Sequence, residues 1–145
     1  MSNKIIPTIS SGIAGPLGVL HLPRLWQKMC LGAAGKLADG YSNCGSGFDK
    51  MVLDALGVDR DALVEFVTSK KPTLIEFEKF FAETATEFNQ TAVSQLNAAI
   101  IGYQHTDETR QEILSSVGLP DGKPTDAINL NNLDDWQCFH ASEIA

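Results

Sequence analysis

Apolar residues recur along this chain at three- and four-residue intervals, and nowhere do they alternate for longer than about four residues. That is the pattern of helices rather than of sheet. Leu22, Trp26, Met29, Ala33 and Leu37 mark one face of a first helix over 22–38, with Pro23 in the turn where a missing N–H costs nothing. A second helix over 48–56 turns Phe48, Met51, Val52, Ala55 and Leu56 inward, and Gly57 closes it. Asp59 caps a third, whose core face is Leu63, Phe66 and Val67. Thr73 and Glu76 form a capping box ahead of Leu74, Phe77, Phe80 and Phe81. A fifth helix follows Asn89 with Val93, Leu96, Ile100 and Tyr103. Thr106 caps a sixth, Asp107 and Glu108 complement its dipole, and Gly118 lies beyond its end. Residues 119–128 read as a loop, after which Asn131 or Asn132 caps a short last helix with Leu133, Trp136, Phe139 and His140. The expected fold is all-α: a compact bundle of six or seven short helices over 21–145, preceded by an extended arm over 1–20.

Composition agrees with one globular domain. The 145 residues are 43% hydrophobic and 20% charged, which excludes a disordered tail, a collagen repeat and a coiled coil. No apolar run approaches the length of a membrane span. Pro7, Gly12, Gly15, Pro16 and Gly18 interrupt the N-terminus where an export signal needs an unbroken apolar stretch, so the expected compartment is the cytoplasm. Three cysteines without a C-x-x-C pair make neither a disulfide framework nor a zinc site, and no cofactor or metal is expected. The net charge of −7 argues against a nucleic-acid partner. That charge is uneven: residues 1–58 carry five basic and three acidic groups, the remainder six and fifteen.

Several residues fit poorly with a purely structural role. On a helical wheel Arg24 and Lys28 lie 40° apart on the polar side of the first helix, with His21 beside them if the helix reaches back that far. Lys36 and Asp39 flank the same side. Gly32 and Gly35 lie between them, although each glycine inside a helix costs roughly 1 kcal/mol against alanine. Glycine there permits close approach by another helix, a partner chain or a ligand. A guanidinium and an ammonium one turn apart suit a carboxylate or phosphate, and His21 could shuttle a proton near neutral pH. The alternative is a solvated basic face with a loop histidine satisfied by backbone.

The segment Gly40–Gly47 holds three glycines in eight residues and opens into the second helix, a junction that attracts anions. Its G-x-G-x-x-K match at Gly45–Lys50 lacks the preceding strand of a phosphate loop. Cys44 stands just ahead of the helix, where the dipole favours thiolate, so Cys44 and His21 are the catalytic candidates. Tyr41 and Asp49 either orient a substrate or hold the loop shut. Cys30 and Cys138 read as small core residues.

Taken together, Leu22-Pro23-Arg24, Lys28, Gly35, Tyr41, Cys44, Asp49 and Leu56-Gly57-Val58-Asp59 resemble a family catalogued only as a domain of unknown function. The closing Leu133-Asp134-Asp135-Trp136 and Phe139-His140-Ala141-Ser142 are similar to one branch of it. The resemblance runs from about residue 12 and implies an all-α fold, with no activity to carry over. The residues themselves lead to a pocket for an anionic small molecule between the first helix and the 40–47 loop. In this reading Arg24, Lys28, Gly32, Gly35, Tyr41 and Asp49 bind the ligand, and a cofactor-independent reaction at His21 or Cys44 is open to it. The alternative is a protein-interaction or homo-oligomerising module, with Gly32 and Gly35 seating a partner helix and residues 5–20 reaching over a neighbouring subunit.

Overall fold

The computed structural model describes residues 4–145, so the first three residues of the expected arm lie outside it. Those described residues form seven helices: α1 (Leu22–Ala33), α2 (Phe48–Leu56), α3 (Arg60–Lys70), α4 (Leu74–Thr84), α5 (Gln90–Gly102), α6 (Asp107–Ser116) and α7 (Ala127–Glu143). Four of them start where the cap chemistry places them. Asp59, Asn89 and Thr106 accept the amide three residues on, and Thr73 and Glu76 complete their capping box reciprocally. Each such cap is worth about 1 kcal/mol.

One core joins Leu22, Leu25 and Met29 of α1 to Val52 and Leu56 of α2, Leu63 and Val67 of α3, Phe77 and Phe81 of α4, and Leu96 and Ile100 of α5. Phe66 and Phe80, on neighbouring helices, stack with ring centroids 4.0 Å apart. Leu114 of α6 and Leu130 of α7 are buried outside that cluster, where α6 packs on α7.

Residues 4–20 form no helix and run over the chain's own bundle. The Thr8 amide donates to Gln27 of α1, the Leu17 amide to Glu78 of α4, and the Leu20 amide to Asn97 of α5. Ile5 bridges to Leu37, and Ala14 to Leu20. Val19 is fully buried in the core. Glu78 lies beneath this segment with its Oε1 unpartnered, and burial pushes its carboxyl up from the usual range. A Cβ on Gly15 would come within 2.9 Å of Glu78 Oε2, so a side chain there would displace the Glu78 carboxylate.

Two boundaries differ from expectation. α1 stops at Ala33 rather than 38, because Gly35 takes the left-handed conformation (φ 69°). The Gly35 amide then donates to Gly32 O and the Lys36 amide to Leu31 O, the paired bonds of a Schellman stop. The last helix is not short: Asp126 caps it through the Asn129 amide, and it runs 17 residues from Ala127. Its inward residues are Ala127, Leu130 and Asp135, while Trp136, Phe139 and His140 are exposed rather than core.

Gly35 is therefore a helix terminator. Gly35→Ala forces a side chain into the left-handed region, and urea unfolding should show a loss of about 1 kcal/mol. Unchanged or increased stability would mean that the αL stop does not hold this turn.

Candidate functional site

In the first two turns of α1, Arg24 and Lys28 are buried together with Leu22, Pro23, Leu25 and Met29. The polar side predicted to face solvent is covered by the N-terminal segment, by α2 and by α7. A buried cation needs a partner, and α1 contains no acidic residue of its own. Both partners come from distant helices.

The first is Asp49, in the opening turn of α2. It is 3% exposed and accepts three donors: His21 Nε2 at 2.5 Å, Lys28 Nζ at 2.6 Å and the Gly45 amide at 2.8 Å. Burial acts to raise its pKa, but the His21 hydrogen bond and the Lys28 charge outweigh it and hold the carboxyl at about 2. Asp49 is thus ionised at neutral pH. The second partner is Asp135 of α7. Arg24 grips it with two parallel bonds, Nη1 to Oδ2 at 2.6 Å and Nη2 to Oδ1 at 3.1 Å. Tyr41 Oη donates to the same Oδ1 at 2.9 Å, and burial together with Asp135 pushes the Tyr41 phenol well above its usual pKa.

His21 caps α1 in the left-handed conformation (φ 73°), a strain of about 1–2 kcal/mol for a non-glycine residue. The ring is 2% exposed and its pKa is lowered: burial outweighs the hydrogen bond and charge of Asp49, with Lys28 and Arg24 adding to the effect. A carboxylate only accepts, so Nε2 carries the proton donated to Asp49. Neutral His21 then presents a bare Nδ1, which accepts the hydroxyl of Ser11 at 2.9 Å. The result is a buried chain Ser11–His21–Asp49 with Lys28 on its far end.

Ser11, His21, Arg24, Lys28 and Asp49 line a cavity of about 730 Å³. Its wall continues through Tyr41, the 45–47 turn and the start of α2 to Tyr103, His105 and Asn131. Aromatic contacts follow that wall from His21 to Phe48 (5.4 Å), Phe48 to Tyr103 (5.5 Å) and Tyr103 to His105 (6.3 Å). His105 Nε2 is in turn hydrogen-bonded to Asn131 Oδ1 at 2.8 Å.

The structure thus gathers five of the sequence candidates, His21, Arg24, Lys28, Tyr41 and Asp49, around one cavity. Three others fall elsewhere. Cys44 is a core residue rather than part of the cavity wall. The expectation of a thiolate there is reversed, because burial and the Asp49 charge push the thiol pKa up, against the smaller pull of Arg60 and Lys28. Neither ring nitrogen of His21 is available to it. Gly32 receives its own chain: a Cβ would meet Asn43 Cβ at 2.7 Å, so the glycine seats the 40–47 loop and not a ligand or partner helix. Gly35 lies beyond α1 as its stop. Conversely, Ser11 and Asp135 had carried no signal as site residues. Among the described residues no group of three or more His, Cys, Asp or Glu side chains could hold a metal, and no helix is long and apolar enough to cross a membrane.

Fold and site together define an all-α protein with a buried charged network beneath a polar cavity. The chain belongs to the family described as domain of unknown function DUF5069, whose model matches residues 12–129. No curated protein matches it. The match covers Ser11's neighbour Gly12 through α6 and the first turn of α7, and stops before Asp135.

The pairing of Arg24 with Asp135 has a direct consequence. Arg24→Ala leaves a carboxylate buried without its counter-ion and should lower unfolding free energy by about 3–5 kcal/mol in buffer without added anions. Removing Asp135 as well should restore part of that loss. A loss no greater than that of Lys50→Ala, an exposed surface pair, would free Arg24 from this architectural role.

Proposed function

We propose that this protein binds a small polar molecule in the cavity above His21, with proton-transfer chemistry available at its floor. The reading rests on one observation: a histidine hydrogen-bonded through both ring nitrogens, to a serine on one side and a buried aspartate on the other, at the bottom of a cavity of ligand size. Cations and carboxylates on the cavity wall balance, with Arg24, Lys28 and Lys50 against Asp49, Asp54 and Asp134. Such a wall suits a molecule with at most one acidic group and disfavours a polyphosphate. Lys28 gives one of its three ammonium protons to Asp49, and the other two are the natural donors for a ligand carboxylate. Tyr103, His105 and Asn131 offer aromatic surface and hydrogen bonds to the rest of it.

A second reading has its own observation. Ile13, Trp136 and Phe139 are exposed and line an apolar groove of about 590 Å³ between the N-terminal segment and α7. In that reading copies of the chain associate through this face.

Thermal melts separate the two. Small hydroxylated monocarboxylates should raise Tm with ligand concentration, by mass action equivalent to about 2.7 kcal/mol at a hundred times Kd. Ser46→Trp, which fills the cavity mouth from an exposed position, should fold normally and lose that rise. A Tm that climbs with protein concentration and ignores these ligands would favour the groove and contradict the cavity.

A further inference from the structure

We infer that Ser11 is a catalytic nucleophile, activated by His21, and that the cavity takes small carboxylic esters. The inference rests on the cavity reading above and adds to it a reaction and a reacting atom.

Three observations carry it. Ser11 Oγ lies 2.9 Å from His21 Nδ1 and Asp49 Oδ1 lies 2.5 Å from Nε2; with the Nε2 proton given to the carboxylate, a neutral ring leaves Nδ1 to accept the Ser11 hydroxyl. This is the serine–histidine–aspartate relationship of acyl-transfer enzymes with the two ring nitrogens exchanged, and the relationship is recognised by geometry and role rather than by position in the chain. Next, the arrangement is held rigidly. His21 is pinned by its backbone, whose amide donates to Ile13 O and whose carbonyl accepts from Leu25. The chain on the other side of Ser11 is tied down by Arg24 Nη1, which donates to Ile9 O at 2.9 Å. Finally, Ser11 and His21, 1% and 2% exposed, both line the cavity, so the route to them runs through it.

The charge balance selects the substrate. A phosphomonoester would bring two negative charges to a wall already neutral, whereas an ester brings none and develops one only at the tetrahedral stage. Lys28, whose ammonium keeps two protons beyond its bond to Asp49, lines the same cavity and is the cation assigned to that oxyanion. In the reaction Ser11 Oγ attacks the ester carbonyl carbon and its proton passes to His21 Nδ1. The tetrahedral intermediate collapses with cleavage of the bond to the alkoxy oxygen, which takes the Nδ1 proton and leaves as the alcohol. Water then attacks the acyl-Ser11 carbon and gives a proton to Nδ1. That proton returns to Ser11 Oγ as the carboxylic acid departs. Asp49 stays ionised throughout and stabilises the transient imidazolium.

The test uses the full chain and two probes, diisopropyl fluorophosphate and p-nitrophenyl acetate. Attack of Ser11 on the phosphorus of the first expels fluoride and leaves a stable diisopropylphosphoryl adduct, located by peptide mass mapping. The expected result is a single adduct on Ser11 and a burst of p-nitrophenol that this adduct abolishes. His21→Asn keeps a residue that tolerates the left-handed backbone and should slow labelling by about 100-fold or more while circular dichroism stays unchanged. Labelling at Ser11 is read in the unaltered protein, so it does not depend on whether Ser11→Ala folds. An adduct confined to another residue, no adduct on the folded protein, or equal labelling in His21→Asn would each overturn the nucleophile. The cavity reading fails separately: stabilising ligands without an adduct leave a binding pocket, whereas an adduct on Ser11 that those ligands do not slow places the reaction outside the proposed binding mode and overturns the substrate assignment.

Discussion

Asp49 draws together three parts of the chain that share no local sequence. His21 caps α1, Lys28 lies two turns further along that helix, and the Gly45 amide belongs to the loop that leads into α2. All three donors converge on one buried carboxylate. Removing any of them would leave a desolvated charge short of a partner, which costs far more than one hydrogen bond returns in water. The position of α2 against α1 and the tautomer of His21 are thereby set together. Asp135 repeats the device one turn earlier on α1, anchoring α7 through Arg24 and the 40–47 loop through Tyr41.

This arrangement explains the composition of α1. A helix with a leucine face and an arginine–lysine face resembles a surface helix by periodicity, yet its cationic side is as enclosed as its apolar one. The cations are there because two other helices each place a carboxylate against it. The strained His21 belongs to the same logic, since a left-handed histidine persists only where its surroundings over-determine it. Between the two carboxylate hubs and the wall of Phe48, Tyr103 and His105 lies the cavity. Its polarity follows from the network that builds it.

Legibility in the sequence tracked the range of the interactions. Caps act over three residues, so Asp59, Thr73, Asn89 and Thr106 announced their helices, and the Leu63, Phe77 and Leu96 faces followed from spacing. Where several capping residues compete, as with Asp126, Asn131 and Asn132, local chemistry does not choose, and the packing of Ala127 and Leu130 settles where α7 begins. Arg24 and Lys28 could be singled out, but their partners stand 111 and 21 residues away, so burial was invisible. The one available signal was that α1 holds two cations and no acid. Ser11 gave no signal, because a serine in a Gly- and Pro-rich segment becomes part of a site only once that segment folds back over α1. Cys44 misled for a related reason: its place before a helix suggested reactivity, and the core enclosed it.

The protonation state of the His21 ring tests this account most directly, because the cavity chemistry and the role of Ser11 both require one form. Nitrogen-15 NMR of the imidazoles across pH 4–8 reads it. The account predicts a neutral ring at pH 7 with the proton on Nε2 and Nδ1 bare, and a titration midpoint below the ordinary 6.5, as burial demands. A ring protonated on both nitrogens at pH 7, or a fast mixture of tautomers with a midpoint at or above 6.5, would contradict it.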